Sequence, residues 1–562
     1  MNKILLTILF FSAVSGSAQN DAVLRAMKDE VNRTVSRLKL ENFDRPYFAS
    51  CYVSDSSETY VSASFGDIKE KNFSFRRNGR MEVRVGNSKF DSSNYISNFR
   101  DYKPVYRSLP LSDDYDAVRK SLWLMADEAY KTAVERYSQK DAYRKKKDIK
   151  DIYGDLTEER PEVYYEKLSS CGEINLPHYE AWVKRLSLLF RKYPNVQDSD
   201  VNIRFSSIGK RFVNSEGSSY VTFSCEAAIY VYARMQNEDG YKIADSKDFL
   251  YASWKDINEQ EVEKSIEDYA LALNAAYKAE KVDYYVGPAI FEKEAAAEFL
   301  NQLFVRNISF NPKPWAEKDE WLKYYYEIPK LTERLGKRVL PGFISVYDDP
   351  LVKSFNGVSL LGYYPIDSEA VKPQKLDLVK KGRLEAIYSS RIPWENYKKS
   401  NGHGRSPYNF FSYASAGNVF FSSEKKFSEK ELNERLTAIG KEQELDYVLV
   451  ISKISSYKNS DKMMGEPVLA YKLDLKTGKR TPLNLSQFDG IGLRALRDIE
   501  AASDKDIVYN FYQGDPYSYA NSSVPTSIIC PSALLIREIE LKKTEEKPEK
   551  KPYLDHPFFG KH

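Results

Sequence analysis

The 562 residues are 42% hydrophobic and 29% charged, the balance of a globular protein with length for two to four domains. Lys and Arg (84) nearly cancel Asp and Glu (81), so no basic field that would gather nucleic acid or anionic lipid is expected. No later segment approaches the run of about 20 apolar residues that a spanning helix needs, which argues against an integral membrane anchor.

At the N-terminus, Lys3, an apolar run over 4–14 and the small residues Gly16-Ser17-Ala18 have the form of a secretory signal peptide covering residues 1–19. Export is the expectation, with the periplasm as the default compartment in a Gram-negative source. Val23, Leu24, Met27, Val31, Val35 and Leu38 then recur at three- and four-residue steps, the stripe of an amphipathic helix. Short β-rich runs over 47–53, 60–65 and 81–85, separated by turn residues, predict an antiparallel sheet. Asp113-Asp114 open a long helix that carries Val118, Leu122, Leu124, Ala126, Ala129 and Ala133 into the basic run 144–147. Pro161 and Pro177 interrupt the pattern, and a helix over 179–193 and strands over 201–205 and 221–233 follow. Residues 20–275 therefore read as an N-terminal α+β domain, an antiparallel sheet with flanking helices.

Residues 276–545 read as a C-terminal β-rich domain. It has a helix around Glu294 and strands over 359–364, 376–379 and 384–388. In 427–432, Ser428 is placed to cap a helix, Glu431 to reach back, and Phe427 and Leu432 to staple it. A buried strand over 446–451 follows, and residues 546–562 form a charged tail. No internal repeat of fixed period is present.

Four cysteines, Cys51, Cys171, Cys225 and Cys530, leave disulfides and buried thiols both open, while their wide spacing excludes a zinc ribbon. The 42 tyrosines, Tyr324-Tyr325-Tyr326 among them, are expected chiefly in cores and on sheet faces. No Gly-x-Ser-x-Gly, phosphate loop, Gly-x-Gly-x-x-Gly or His-Glu-x-x-His motif occurs.

Three stretches carry candidate chemistry: the helix opening Gly287-Pro288-Ala289-Ile290-Phe291-Glu292-Lys293-Glu294-Ala295-Ala296-Ala297-Glu298-Phe299-Leu300, the acidic Asp367-Ser368-Glu369, and Ser400-Asn401-Gly402-His403-Gly404-Arg405. At about 100° per residue, Ala296, Phe299, Leu300 and Leu303 share one side of the first, and Glu294 and Glu298 the other. A solvated acidic face is the expectation there, with a peptide-contacting face and a metal site as alternatives. Asp367 and Glu369 form either an acid–base pair or a turn with solvated carboxylates. Asn401, His403 and Arg405 form either a binding loop, in which Arg405 grips a carboxylate, or a structural turn.

Together these stretches resemble the TldD/PmbA family, as do Arg84-Val85-Gly86, Leu122-Trp123, Ala129-Tyr130-Lys131 and Asn214-Ser215-Glu216-Gly217; the resemblance spans most of residues 20–545. It implies a mixed, barrel-like C-terminal domain and a metal helix bearing His-Glu-x-x-x-His. Here Lys293 falls at the first His, Glu294 at the Glu and Glu298 at the second His, while a one-residue shift offers Glu292, Lys293 and Ala297. Neither register holds a histidine, and a lysine ammonium has no electron pair for a metal. The third ligand in catalytic members is a Cys, and Cys530, set among apolar neighbours, reads as core. Asp367-Ser368-Glu369 resembles the family's Asp-Asp-Glu-Gly element with Ser368 and Ala370 substituted, and 400–405 resembles a loop of its metal-free branch. The resemblance thus implies a subunit without its own metal or cofactor that binds unfolded peptide and pairs with a catalytic TldD-like paralogue or a second copy, the zinc coming from the partner. Two alternatives remain: an active metallopeptidase in which Glu294, Glu298 and Cys530 hold a metal, and a Tyr-rich peptide- or glycan-binding surface protein.

Overall fold

The structure, a computed structural model, describes residues 21–549 apart from 98–102, 151–152, 167–170, 278, 323–325, 327–328, 395–396, 408–409, 456–461, 485, 515–522 and 546. The expected signal peptide, most of the charged tail, Tyr324 and Tyr325 lie outside these residues. Among the described residues no helix is long and apolar enough to cross a membrane.

The N-terminal half is built on one long sheet, with strands in the order Lys242–Tyr251, Ser219–Gln236, Val196–Asn214, Phe48–Ser64, Asp67–Arg84 and Val105–Ser108, all antiparallel; Val163–Tyr165 runs parallel beside Ser219–Gln236. The expected strands 47–53 and 60–65 are the two ends of a single strand. The polar stretch between them reads as a turn in sequence, yet Asp55 is buried at mid-strand and accepts from Arg77 Nε at 2.5 Å and Arg211 Nη1 at 2.7 Å. Paired cations remove the cost of burying that carboxylate and keep the strand continuous.

Strand alternation divides the sheet's surroundings. Cys51, Val53, Val61 and Ala63 face four helices. Two are α1 (Ala22–Arg37), capped by Asp21, and α2 (Tyr115–Lys146), capped by Asp114, which cover one end of the sheet. The others are α3 (Leu176–Leu188) and α4 (Glu259–Ala276), which cover the other end. Pro177, expected as a break, instead sits in the first turn of α3, where its missing N–H costs nothing, and Asn175 caps the helix. Tyr52, Glu58 and Tyr60 alternate to the opposite face, toward the C-terminal half.

The C-terminal half contains two mixed sheets. One orders Arg480–Asn484, Pro467–Asp474, Tyr447–Ile454, Tyr284–Glu292, Ala533–Lys543 and Ile499–Ser503; the other orders Leu376–Lys380, Ile344–Asp348, Asn418–Ser423, Ser523–Pro531 and Asp506–Gly514. Both are open paths with distinct edges, so the expected barrel-like form is not found: twisted sheets meet face to face and enclose a helix. That helix, α5 (Glu294–Leu303), contacts Tyr447–Ile454 of one sheet and Ser523–Pro531 of the other within a single apolar core. Ala295, Ala296 and Ala297 permit this close approach from both sides. α6 (Glu429–Glu442) packs outside, opened by the expected capping box: Glu431 N–H donates to Ser428 Oγ at 3.4 Å, and Ser428 N–H to Glu431 Oε2 at 2.7 Å. Of the expected strands 359–364 and 384–388, only Val358–Ser359 and Arg383–Leu384 form short pairs.

Candidate functional site

Strand Tyr284–Glu292 passes into α5 through Lys293, whose φ of 55° turns the chain sharply and whose N–H donates to Ser532 O at 2.7 Å. The Lys293 side chain is exposed. Glu294, in the first turn, pairs with Lys247 of the N-terminal sheet. Glu298 is 3% exposed, not solvated. Its Oε1 accepts from the Tyr509 hydroxyl at 2.7 Å; its Oε2 accepts from Gln302 Nε2 at 2.7 Å and Asn301 Nδ2 at 3.3 Å. The solvated acidic face expected from the helical wheel is therefore overturned. A wheel separates faces only when one of them meets water, and α5 is enclosed between sheets, so its polar side must find protein partners.

Glu294, Glu298 and Tyr509 border a cavity of about 660 Å³ between α5 and the open face of the N-terminal sheet. Tyr60, Tyr230 and Tyr232 come from that sheet, as do Asp245 and Asp248 of Lys242–Tyr251; Arg306, Lys453 and Tyr512 come from the C-terminal half. Lys453 Nζ bridges the halves by donating to Asp245 Oδ1 at 2.6 Å. Burial raises the Asp245 carboxyl, opposed by the Lys453 charge. Burial also raises Asp248, with Lys453 again opposing and the Glu294 and Asp245 charges reinforcing. Tyr509 is held far above the ordinary tyrosine range, by burial first and then by Glu298, so its hydroxyl stays a donor. Sequence reasoning missed Lys247, Asp245, Asp248, Arg306, Lys453 and Tyr509, because nothing local marks residues assembled from strands this far apart.

The other two motifs are brought together elsewhere, in the joint between the halves. Asp367, 1% exposed, accepts from the backbone N–H groups of Glu369 at 2.9 Å, Val371 at 2.8 Å and Gly404 at 3.0 Å. Glu369 Oε2 accepts from Arg391 N–H at 2.7 Å. Burial raises both carboxyls, and the Glu369 charge raises Asp367 further. Gly404 is needed here: a Cβ on it would lie 2.1 Å from Glu369 Oε2 and 3.1 Å from Asp367 Oδ2.

His403 is 0% exposed; its Nδ1 donates to Asn401 O at 3.1 Å, and its Nε2 lies 3.6 Å from Asp348 Oδ1. Asn401 donates to Ile387 O at 2.9 Å and accepts from Ser389 N–H at 3.0 Å. Arg405 lies over the Tyr364 ring and donates to Ala416 O at 2.6 Å and Pro525 O at 2.8 Å. Ile366 and Ala370 pack on Tyr52, Phe212 and Tyr220 of the N-terminal sheet, and Arg391 Nη1 pairs with Glu216 at 2.5 Å across the same joint. Asn401, His403, Arg405 and Asp367 are thus buried, Glu369 is half-buried, and all are engaged within the fold, apart from the cavity.

Cys171 and Cys225 form a disulfide, whereas Cys51 and Cys530 are buried thiols; Cys530 belongs to the core around α5, and burial raises its pKa.

Residues 285–543 match the family described as the PmbA/TldA metallopeptidase C-terminal domain. No curated protein matches the chain in sequence. Among solved structures, TldE from Thermococcus kodakarensis is similar at 16% identity over 92% of this chain and 99% of its own, with a TM-score of 0.58. Two candidate modulators of DNA gyrase are also similar: one from Thermotoga maritima at 14% identity, covering 88% and 96% with a TM-score of 0.56, and one from Bacteroides thetaiotaomicron at 11%, covering 94% and 99% with a TM-score of 0.54. At these identities the likeness is one of fold, extending across both halves. The C-terminal half thus carries a PmbA/TldA metallopeptidase C-terminal domain, and the chain shares the fold of these TldE and gyrase-modulator structures across both halves.

Proposed function

We propose that this chain is an exported, non-catalytic TldD/PmbA subunit that holds an extended peptide in the cavity beside α5 and works with a zinc-bearing partner. One observation carries the proposal: the carboxylates at the metal-helix positions are already satisfied by protein donors, Glu294 by Lys247 and Glu298 by Tyr509, Gln302 and Asn301. A catalytic zinc takes three protein ligands and leaves one position open to water. The residues here do not fit it. His178 lies exposed on α3 and His403 is buried in the joint, the Cys530 thiol is in apolar core, and among the described residues no three groups of metal-ligand type converge. The hydrolytic water activated by the metal would come from the partner's site.

The cavity suits an extended chain. Its aromatic walls offer apolar surface with hydroxyl tips, and the edge strand Lys242–Tyr251 borders it. The Cys171–Cys225 disulfide and the signal-like residues 1–19 support an oxidising compartment outside the cytoplasm. The test is to purify the chain alone, measure bound zinc, and assay cleavage of an unstructured peptide with and without the metal-bearing paralogue. Metal-free protein that binds peptide and cleaves only with the paralogue is expected. Stoichiometric zinc with chelator-sensitive cleavage by the isolated chain would overturn the proposal.

A further inference from the structure

The cations around the cavity differ in what they already hold. Lys247 is committed to Glu294, Lys453 to Asp245 and the Ser246 carbonyl, and Arg204 lies 3.9 Å from Glu58. Arg306 stands apart. It follows α5 on a single 3₁₀ turn, Val305–Asn307, half-buried at the cavity wall, and its buried Nε has no hydrogen-bond partner. Among the described residues no carboxylate pairs with its guanidinium. A donor withdrawn from water and left unmade costs free energy, so such a group is retained where something else satisfies it. Nearby carboxylates do not compete for it: Glu298 is saturated, Glu294 is neutralised, and Asp248 is biased by burial toward its neutral form.

Building on the peptide-holding role proposed above, we infer that Arg306 is the anchor for a carboxylate of the bound peptide, so that the cavity selects anionic chains by a fork of parallel N–H donors. The guanidinium is planar, always charged and matched to two carboxylate oxygens, and in a partly desolvated cavity such a pair is stronger than on the surface. A carboxylate arrives either as the peptide's C-terminus or as an Asp or Glu side chain, and the chemistry at Arg306 is the same for both.

The experiment uses the full chain and three fluorescein-labelled six-residue peptides of Gly, Ser and Ala, with binding followed by anisotropy. One has a free C-terminal carboxylate, one a C-terminal amide, and one a C-terminal amide with a central Glu. At least one carboxylate-bearing peptide is expected to bind about tenfold more tightly than the plain amide, the scale of one charge-assisted hydrogen-bonded contact. Whichever peptide gains identifies the source. Arg306→Gln is expected to erase the preference, so that all three peptides bind alike, and Arg306→Lys to keep part of it. Equal binding of all three peptides by the native chain overturns the Arg306 assignment and leaves the peptide-holding role standing. A preference that survives in Arg306→Gln also overturns it. Failure of every peptide to bind rejects the peptide-holding role, and the Arg306 assignment with it.

Discussion

Glu298 shows how much a single buried carboxylate demands: a hydroxyl from a neighbouring strand and two amides of its own helix converge on it. The joint residues Asp367, Glu369 and Gly404 are packed as tightly. Gly404→Ala would drive its methyl into the Glu369 carboxylate, and a loss of about 1–3 kcal/mol in urea unfolding is expected from such overpacking. Gly514→Ala, where no atom of the described residues lies within 4 Å of the added carbon, is the control and should be near neutral. The same pair gives stability a definite slope with pH. Folding raises both carboxyls above their ordinary values of 3.8 and 4.5, so the folded chain keeps protons that the unfolded chain releases. That stabilisation is complete below the ordinary values and is lost as pH rises through the folded ones. The urea midpoint is expected to fall as pH rises above the ordinary carboxyl values, and Glu369→Gln to flatten the fall. An unchanged slope in the variant would contradict this assignment.

Among the elements, α6 was the most legible, since a capping box and a staple are local devices written within six residues. Ser428→Ala removes the hydroxyl that accepts from Glu431 N–H and should cost about 1 kcal/mol, read as a lower thermal midpoint with unchanged helix content. α1 was legible from its apolar stripe, and α2 from its stripe and its acidic start at Asp113-Asp114. The strand Phe48–Ser64 was not, because the partners that keep Asp55 inside it, Arg77 and Arg211, lie on neighbouring strands. α5 was legible as a helix but not in its surroundings, since two sheets distant in sequence close over both its sides.

At the scale of the molecule, the long sheet serves two environments, helices on one face and the C-terminal half with its cavity on the other. The Cys171–Cys225 disulfide ties the segment before α3 to Ser219–Gln236, closing a separation of 54 residues. Cys225→Ser is expected to lower stability by about 2–4 kcal/mol, and excess reductant should bring the native chain down to the variant. Equal stability of oxidised, reduced and variant proteins would show the bond to be incidental. By itself the sequence determined α1, α2, α5 and α6, the capping box of α6, the α+β character and the TldD/PmbA resemblance, because periodicity, capping and motif spacing are properties of neighbouring residues; α4 (Glu259–Ala276) was not read from it. Only the tertiary structure decided that Glu298 is buried and saturated, that Asp367 and Arg405 belong to a joint, and that Asp245, Arg306, Lys453 and Tyr509 surround one cavity. Those outcomes depend on which surfaces lose water, and that is settled by chain segments hundreds of residues apart meeting in space.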